Sequence, residues 1–543
     1  MAVNRTIIIT VFLLVIAGSA WAQPNRYMVF FKDKNDTPYS VTEPSAFLST
    51  DAIERRIRHG VQISEQDLPI NPAYVSAVSA AGAEVFFRTR WLNGVLVQTD
   101  PENLSAIEAL SFVDRIELVA PDVRLMSNGR KKSPGGKKSS RTAEVTDTQL
   151  TMVGLNEMHE MGFRGEGIMI ALFDAGFQGV DAGAPFEHLF TEGRIDLMTS
   201  KDFVYNSDDV FQYDDHGTEV FSVIAAYQPG VFTGGAYKAT FQLYVTEDVP
   251  SEYRVEEYNW LFAAERADSA GVDIIHSSLG YNDFDLPEMD YQKSEMNGVV
   301  TVVSRAAQWA ADRGIVVIVS AGNEGNNSWR IITAPADAVD VLAVASVDAN
   351  GSRASSSSTG PAADSRIKPD VAAMGVATSV IERTGNVGKS SGTSLAAPLI
   401  TSLAAGIQQK YPDLTNVELL NVIRRSASQS GAPDAFLGYG IPHFRAIVNY
   451  IEAEVQSDEY AVFPNPFDDG DLQLVIQPRD PLSVSDCEIE LINAEGRRIY
   501  HFTPKFSWFE NKFSPQFEGL NPGVYFLRIV SGGKRFVFKV VRQ

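Results

Sequence analysis

Four polar residues stand where they could act on one another. Asp174 closes the apolar run Ile168–Phe173, in Leu172-Phe173-Asp174-Ala175-Gly176. A carboxylate there is costly to bury alone. It suits orienting a histidine and stabilising its cation, and it equally suits a cap or a turn. His216 opens a helix in Asp214-Asp215-His216-Gly217-Thr218-Glu219-Val220. An imidazole takes up and returns a proton near neutral pH, and Gly217 leaves space beside the ring. A surface or capping histidine is the alternative. Ser394 lies in Ser391-Gly392-Thr393-Ser394-Leu395-Ala396-Ala397-Pro398. Leu395, Leu399, Leu403 and Ile407 recur every four residues among small or apolar neighbours, which predicts a buried helix. Pro398 is expected near the end of its first turn, where a missing N–H costs little. The Ser394 hydroxyl then sits at a helix start, where free N–H groups and the dipole favour negative charge. A plain N-cap uses the same residue. Asn323, in Ser320-Ala321-Gly322-Asn323-Glu324-Gly325, follows the run Ile315–Val319. Its amide could donate to a tetrahedral oxyanion or serve a turn.

The elements that must hold these residues are legible as a pattern. Residues 145–455 carry short apolar runs without alternation: Ile168–Phe173, Phe241–Val245, Val272–Ile275, Ile315–Val319 and Val341–Ala345. Such runs suit strands covered on both faces. Helical stretches lie between them, including Val220–Ala226, Trp260–Ala270 and Val299–Asp312. Alternating β and α elements predict an α/β fold, a mostly parallel sheet with helices on both faces. Its sites form beyond the carboxyl ends of strands, and all four residues sit at ends of its elements.

The blocks Asp174-Ala175-Gly176, His216-Gly217-Thr218, Ala321-Gly322-Asn323 and Gly392-Thr393-Ser394-Leu395-Ala396-Ala397-Pro398 resemble the signatures of the subtilisin-like serine proteases. The chain order Asp, His, Ser is that of subtilisin itself. The resemblance implies a secreted serine endopeptidase working through an acyl-enzyme, with Ser394 as nucleophile, His216 as general base, Asp174 as orienter and Asn323 as oxyanion donor. Ser277-Ser278-Leu279-Gly280 resembles the family's edge that pairs with an extended substrate, a β-augmentation mode. Ser278, Leu279 and Gly280 would then bind the substrate backbone, and Ala321 and Gly322 would line the pocket for the residue before the scissile bond. Glu219 stands where the family often has a second histidine, which changes local charge without touching the triad. A binding protein on a dead scaffold would lack a triad member, and none is missing. An ester-acting α/β hydrolase wants Gly-x-Ser-x-Gly with the histidine last. The acidic Ser-Glu-Asp peptidases share a similar serine block, and His216-Gly217-Thr218 argues against them.

The flanks divide the remainder. Residues 1–22 read as a signal peptide: Arg5, the apolar run Ile7–Ala17, and the cleavage site Ala20-Trp21-Ala22. The run is too short for a spanning helix. Residues 23–127 form a small α/β unit with strands at Tyr27–Phe31, Trp91–Val97 and Val113–Val119 and a helix over Pro101–Leu110. Through Asn93-Gly94-Val95 and Val113–Val119 followed by Pro121, the unit resembles the family's inhibitory propeptide. The chain's own propeptide is thereby expected as an intramolecular inhibitor. Residues 128–144 hold the basic segment Arg130-Lys131-Lys132-Ser133-Pro134-Gly135-Gly136-Lys137-Lys138-Ser139-Ser140-Arg141, expected as an exposed maturation linker. Residues 456–543 show short alternating strands at Glu488–Ile492 and Arg498–Phe502. A hairpin joins Val524–Val530 to Arg535–Val541. Phe463-Pro464-Asn465-Pro466-Phe467, Gly496-Arg497, Gly523-Val524-Tyr525-Phe526 and Lys539-Val540-Val541-Arg542-Gln543 resemble the C-terminal sorting domain of type IX secretion. The machinery of that system is thus an expected partner, and a Gram-negative cell surface or its surroundings the expected location.

Protein or peptide substrates are the other expected partners. A net charge of -22 disfavours nucleic acid. The lone Cys487 cannot form an internal disulfide. No cofactor is required by this reading. Calcium is common in the family; Asp208-Asp209 and Asp214-Asp215 are candidates for it, and a solvated acidic loop is the alternative for both.

Overall fold

The computed structural model describes residues 25–121 and 145–455. In the C-terminal region it describes 460–463, 465–467, 475–478, 487–493, 497–504, 513, 515, 517, 519–531 and 534–542. The expected signal peptide, the basic segment Arg130–Arg141, and Pro464, Gly496 and Gln543 of the sorting signature lie outside these residues. The chain divides into two compact units between Phe444 and Arg445.

The first unit opens with β1 (Asn25–Phe31), α1 (Thr50–Arg58), α2 (Pro72–Ala80), β2 (Glu84–Thr89), β3 (Gly94–Thr99), α3 (Leu104–Glu108) and β4 (Val113–Ala120). The strands form an antiparallel sheet in the order β2-β3-β1-β4. The strand expected from Trp91 begins three residues later, because Asn93 takes a left-handed turn conformation (φ 53°) before Gly94 enters the sheet. A Cβ at Gly94 would lie 2.5 Å from the Val29 carbonyl oxygen. Side chains alternate across a strand. Tyr27, Val29, Phe31, Val95 and Val97 pack with Val75, Val78 and Ile107 of this segment's own helices. Met28, Phe30 and Leu96 face the other way and join the core of the following domain.

That domain begins with α4 (Asp147–Met152) and α5 (Leu155–Glu160). Next come β5 (Met169–Asp174), α6 (Glu187–Thr191), β6 (Lys201–Asp202), α7 (His216–Ala225), the short pair β7 (Tyr227–Gln228) and β8 (Phe232–Thr233), and β9 (Thr240–Val245). Then follow α8 (Val255–Ala270), β10 (Ile274–Ser277), α9 (Val302–Asp312), β11 (Val316–Ser320), β12 (Val341–Val347) and β13 (Val371–Met374). The hairpin β14 (Thr378–Ile381) and β15 (Val387–Ser390) leads to α10 (Thr393–Lys410) and α11 (Asn416–Arg425); α12 (Phe444–Val455) follows, and the division between the units falls after its first residue. Seven strands form one sheet, order β13-β12-β11-β10-β5-β9-β6, with every pairing parallel. Ala171 and Phe173 of β5, and Val317 and Val319 of β11, pack with Trp260 of α8 and Ala306 of α9. Ile170, Leu172, Val316 and Ile318, on the opposite face, are buried as well. Burial on both faces is why these runs do not alternate. β5 lies between β10 and β9; from it the chain runs to β6 and β9 on one side, then crosses over to β10 and on to β13 on the other. That is the switch point where such sheets open a crevice.

Buried ions join the antiparallel segment of the first unit to the parallel-sheet domain that follows it. Asp268 of α8, fully buried, accepts from Arg55 and Arg56 of α1 and from Arg90 after β2. Glu265 accepts from Thr89 Oγ1 and from the backbone N–H groups of Arg90 and Trp91. Burial opposes ionisation of Asp268, but Arg90, Arg56 and Arg55 hold it at about 2. A depressed carboxylate stabilises above its unfolded value and loses that contribution only as pH falls through the folded one. This joint therefore resists mild acid. Asp268→Ala should cost about 3–5 kcal/mol, since three arginines lose a buried partner. Chemical denaturation in an Ser394→Ala background, which prevents self-digestion, measures it; an unchanged midpoint would refute the assigned role.

The second unit is all-β among its described residues beyond α12. β16 (Tyr460–Phe463) pairs with β17 (Val475–Pro478), and β18 (Cys487–Asn493), β19 (Arg498–Phe502), β20 (Gly523–Ser531) and β21 (Lys534–Arg542) form a sheet in the order β19-β18-β20-β21. Cys487 is a buried free thiol in its core. No helix among the described residues is long and apolar enough to cross a membrane.

Candidate active site

Asp174 is the last residue of β5 and is buried, so its carboxylate depends on local donors. Oδ1 accepts from the Ala175 N–H at 2.8 Å and from His216 Nδ1 at 2.8 Å. Asp174 Oδ2 has no hydrogen-bond donor among the described residues. His216 is the first residue of α7, four residues earlier than the apolar pattern alone suggests. Asp214 Oδ1 fixes its backbone by accepting its N–H. Gly217 does more than leave room for the ring. A Cβ there would meet the Gly176 carbonyl oxygen at 2.4 Å and Asp174 Cβ at 2.9 Å, so only glycine lets α7 start against the end of β5.

Burial disfavours the His216 cation, but Asp174 outweighs it by charge and hydrogen bond, and Glu247 and Asp214 add to the effect. The proton affinity of the ring is raised above the ordinary 6.5. Because Nδ1–H donates to Asp174, the acceptor lone pair is on Nε2. The side chain keeps 34% exposure and faces a cleft also lined by Ala175, Asp214, Ser278, Leu279 and Gly280. Glu219, one turn into α7, is half-buried; burial raises its carboxyl, with a Ser390 hydrogen bond and the charge of His216 opposing.

Ser394 is the second residue of α10, so its N–H has no acceptor within the helix. Its hydroxyl borders Asn323 across Gly392. A Cβ at Gly392 would lie 2.8 Å from Ser394 Oγ and 3.5 Å from Asn323 Nδ2. Asn323 is exposed at the end of β11, and its Oδ1 accepts from the Thr393 N–H and hydroxyl. The amide is thus oriented with Nδ2 left to donate. No hydrogen bond joins Ser394 Oγ to the His216 ring among the described residues; such bonds often tighten only when substrate is bound.

Pro398 departs from expectation. It is the sixth residue of α10, not part of the first turn. Its missing N–H would have bonded the Ser394 carbonyl. Ser278 Oγ fills the gap by donating to Ser394 O at 2.9 Å. With that hydrogen committed, His276 Nε2 must donate to Ser278 Oγ (2.9 Å), and Nδ1 accepts from Thr401 Oγ1 (2.8 Å). Burial, then the charge of His216, lowers His276 to about 3, which keeps it neutral. This buried histidine was missed by the sequence reading. Its only signal was a polar residue directly after the run Val272–Ile275, within what becomes β10.

Of the substrate-binding candidates, Ser278 therefore turns its side chain inward, and only its backbone is left for a peptide. Leu279 is buried, and Gly280 is exposed at the cleft. Ala321 is fully buried. Gly322 (φ 100°) and Gly280 both back onto Thr333, where a Cβ would lie 2.8 Å and 2.2 Å from Thr333 Oγ1. Asp208 pairs with Lys201, and Asp209 bonds Gln212 and the Phe211 N–H. The carboxylates that do gather among the described residues are Glu247, Glu252 and Glu256.

The subtilase family model matches residues 165–440, just over half of the chain. The chain belongs to the subtilase family. This subtilase carries a peptidase S8 propeptide domain of the Bacteroidota type over residues 26–136 and a secretion system C-terminal sorting domain over 461–543. A thermostable alkaline protease of Halalkalibacterium halodurans is 26% identical over 64% of this chain and 90% of its own. A subtilisin of Bacillus pumilus is 28% identical over 53% and 94%. The MycP3 protease from the type VII (ESX-3) secretion system aligns with TM-score 0.47 and 20% identity, covering 57% of this chain and 89% of its own. The subtilase is a serine endopeptidase with an N-terminal propeptide inhibitor. Its sorting domain directs it to secretion or the cell surface.

Proposed function

We propose that this subtilase hydrolyses peptide bonds of proteins through an acyl-enzyme formed on Ser394. The observation that carries the reading is the 2.8 Å bond from His216 Nδ1 to the buried Asp174 carboxylate, beside a cleft. It supports a ring whose Nε2 lone pair is poised as a base. The Ser394 hydroxyl proton passes to Nε2 as Oγ adds to the scissile carbonyl. Asn323 Nδ2 and the Ser394 N–H donate to the oxygen that becomes negative. The imidazolium, stabilised by Asp174, then protonates the departing amine, and an ester is left on Oγ. Water repeats the cycle with the same base and releases the acid. No metal or cofactor enters these steps. Ser278, Leu279 and Gly280 would hold the substrate backbone, with Ala321 and Gly322 beside the residue preceding the bond. Secretion followed by cleavage in the basic linker would separate residues 23–127 from the peptidase.

A serine-directed phosphonylating reagent tests this. Stoichiometric labelling of the processed protein should add one adduct, on the peptide containing Ser394, in step with loss of peptidase activity. An adduct on another residue that accounts for the inactivation would refute the assignment.

A further inference from the structure

The cleft that His216 faces, about 530 Å³ in volume, runs on past Glu247, Val249, Pro250 and Glu252 opposite Leu279 and Gly280. Glu256, in the first turn of α8, stands beside Glu247 and Glu252. One carboxylate oxygen from each of Glu247, Glu252 and Glu256 lies within 4.8 Å of the other two. Glu256 is fully buried, and its Oε2 has no hydrogen-bond donor among the described residues. A buried acceptor without a donor is costly. Burial, with Glu247, Asp283 and Asp285 nearby, pushes the Glu252 carboxyl up to about 8. Burial and the neighbouring Glu252 and Glu247 raise Glu256 as well. No lysine or arginine of the chain pairs with Glu252 or Glu256 among the described residues. The nearest arginine in sequence, Arg254, donates to the Met289 carbonyl and lies over the Tyr291 ring.

We propose that Glu247, Glu252 and Glu256 form a subsite for a lysine or arginine side chain of the substrate, on the amino side of the scissile bond. The inference rests on the endopeptidase reading above. Three oxygens around one ammonium at about 2.8 Å stand about 4.6 Å apart, which fits the observed spacing. Glu247 and Glu252 line the same cleft as the base, and that cleft is far larger than a single ion needs. Its far wall, Leu279 and Gly280, is the proposed substrate-pairing edge, which places the side chain before the bond. The chain carries a substrate of this chemistry itself, in Arg130-Lys131-Lys132 and Lys137-Lys138.

The test uses the full chain, expressed and allowed to process. Matched peptides carry lysine or norleucine at the second, third or fourth residue before the bond, and kcat/KM is measured for each. At one of these positions lysine should exceed norleucine by about 10- to 100-fold, the worth of a charge-assisted hydrogen bond. Glu252→Gln, half-exposed and therefore tolerant of the change, should collapse that ratio. Equal rates at all three positions would overturn the subsite and leave the endopeptidase standing. So would a calcium or manganese ion that binds stoichiometrically in titration, is lost in Glu252→Gln, and accounts for any preference. Absence of turnover on every peptide, with Ser394 unreactive to phosphonylation, would overturn both readings together.

Discussion

Ser394→Ala should lower kcat by on the order of 10⁶-fold, the scale found when the nucleophile of such a triad is removed. The substitution deletes one oxygen and with it the only atom able to form the acyl-enzyme. What remains is water attacking a peptide held near Asn323 and the α10 N-terminus, which preserves a small residual rate. The fold should not suffer. Ser394 Oγ has no hydrogen-bond partner among the described residues, and the bond that ties this position to β10 uses the Ser394 carbonyl, which alanine keeps. The melting temperature should therefore stay within a few degrees of the wild type, a change of about 0.5 kcal/mol or less. The variant should also accumulate as a precursor with its basic linker intact, readable by intact mass. Turnover comparable to wild type in purified Ser394→Ala would end the assignment. A collapsed melting curve would instead assign the loss to misfolding, so the two measurements are made together.

What the sequence reveals of this molecule depends on how local the physics is. β5, β11 and β12 are visible because both faces of each strand are buried, so every residue in the run must be apolar. α10 is visible because its leucines repeat along one continuous segment. The catalytic candidates are visible because each lies at the end of such an element. The features that escape are built from distant residues. The relay from Thr401 through His276 and Ser278 to Ser394 spans separations of 125 and 116 residues, and nothing near His276 signals it. Asp268 meets Arg55, Arg56 and Arg90 across 213, 212 and 178 residues. The position of Pro398 was misjudged because a helix start shifts by one or two residues without altering the apolar repeat. The acidic subsite escaped for another reason. Glu247, Glu252 and Glu256 are close in sequence but resemble a solvated loop running into a helix. Only the burial of Glu256 separates them from Asp208 and Asp209, which stay at the surface.

Asp174→Asn should reduce kcat by about 10⁴-fold while leaving the backbone in place, the loss seen when the acid of a serine-protease triad becomes an amide. The carboxylate can only accept, so it forces the proton of neutral His216 onto Nδ1 and leaves Nε2 as the base. An asparagine can present its NH₂ to Nδ1 instead. The ring proton then moves to Nε2, where it blocks uptake of the Ser394 proton. The pH profile separates this from simple disruption. Only the neutral ring can serve as base, so kcat/KM must fall as pH drops through the proton affinity of His216. Asp174 is the chief cause that raises that affinity. The wild-type acid limb should therefore lie above 6.5, and the residual activity of Asp174→Asn should show its limb at lower pH. Stability follows the same sign. A histidine with a raised folded value contributes fully below its unfolded value and loses that contribution as pH rises through the folded one. The stability gap between wild type and variant should thus be widest in acid and close at alkaline pH. A limb that does not move, or a kcat within tenfold of wild type, would mean that Asp174 is not what holds the imidazole ready.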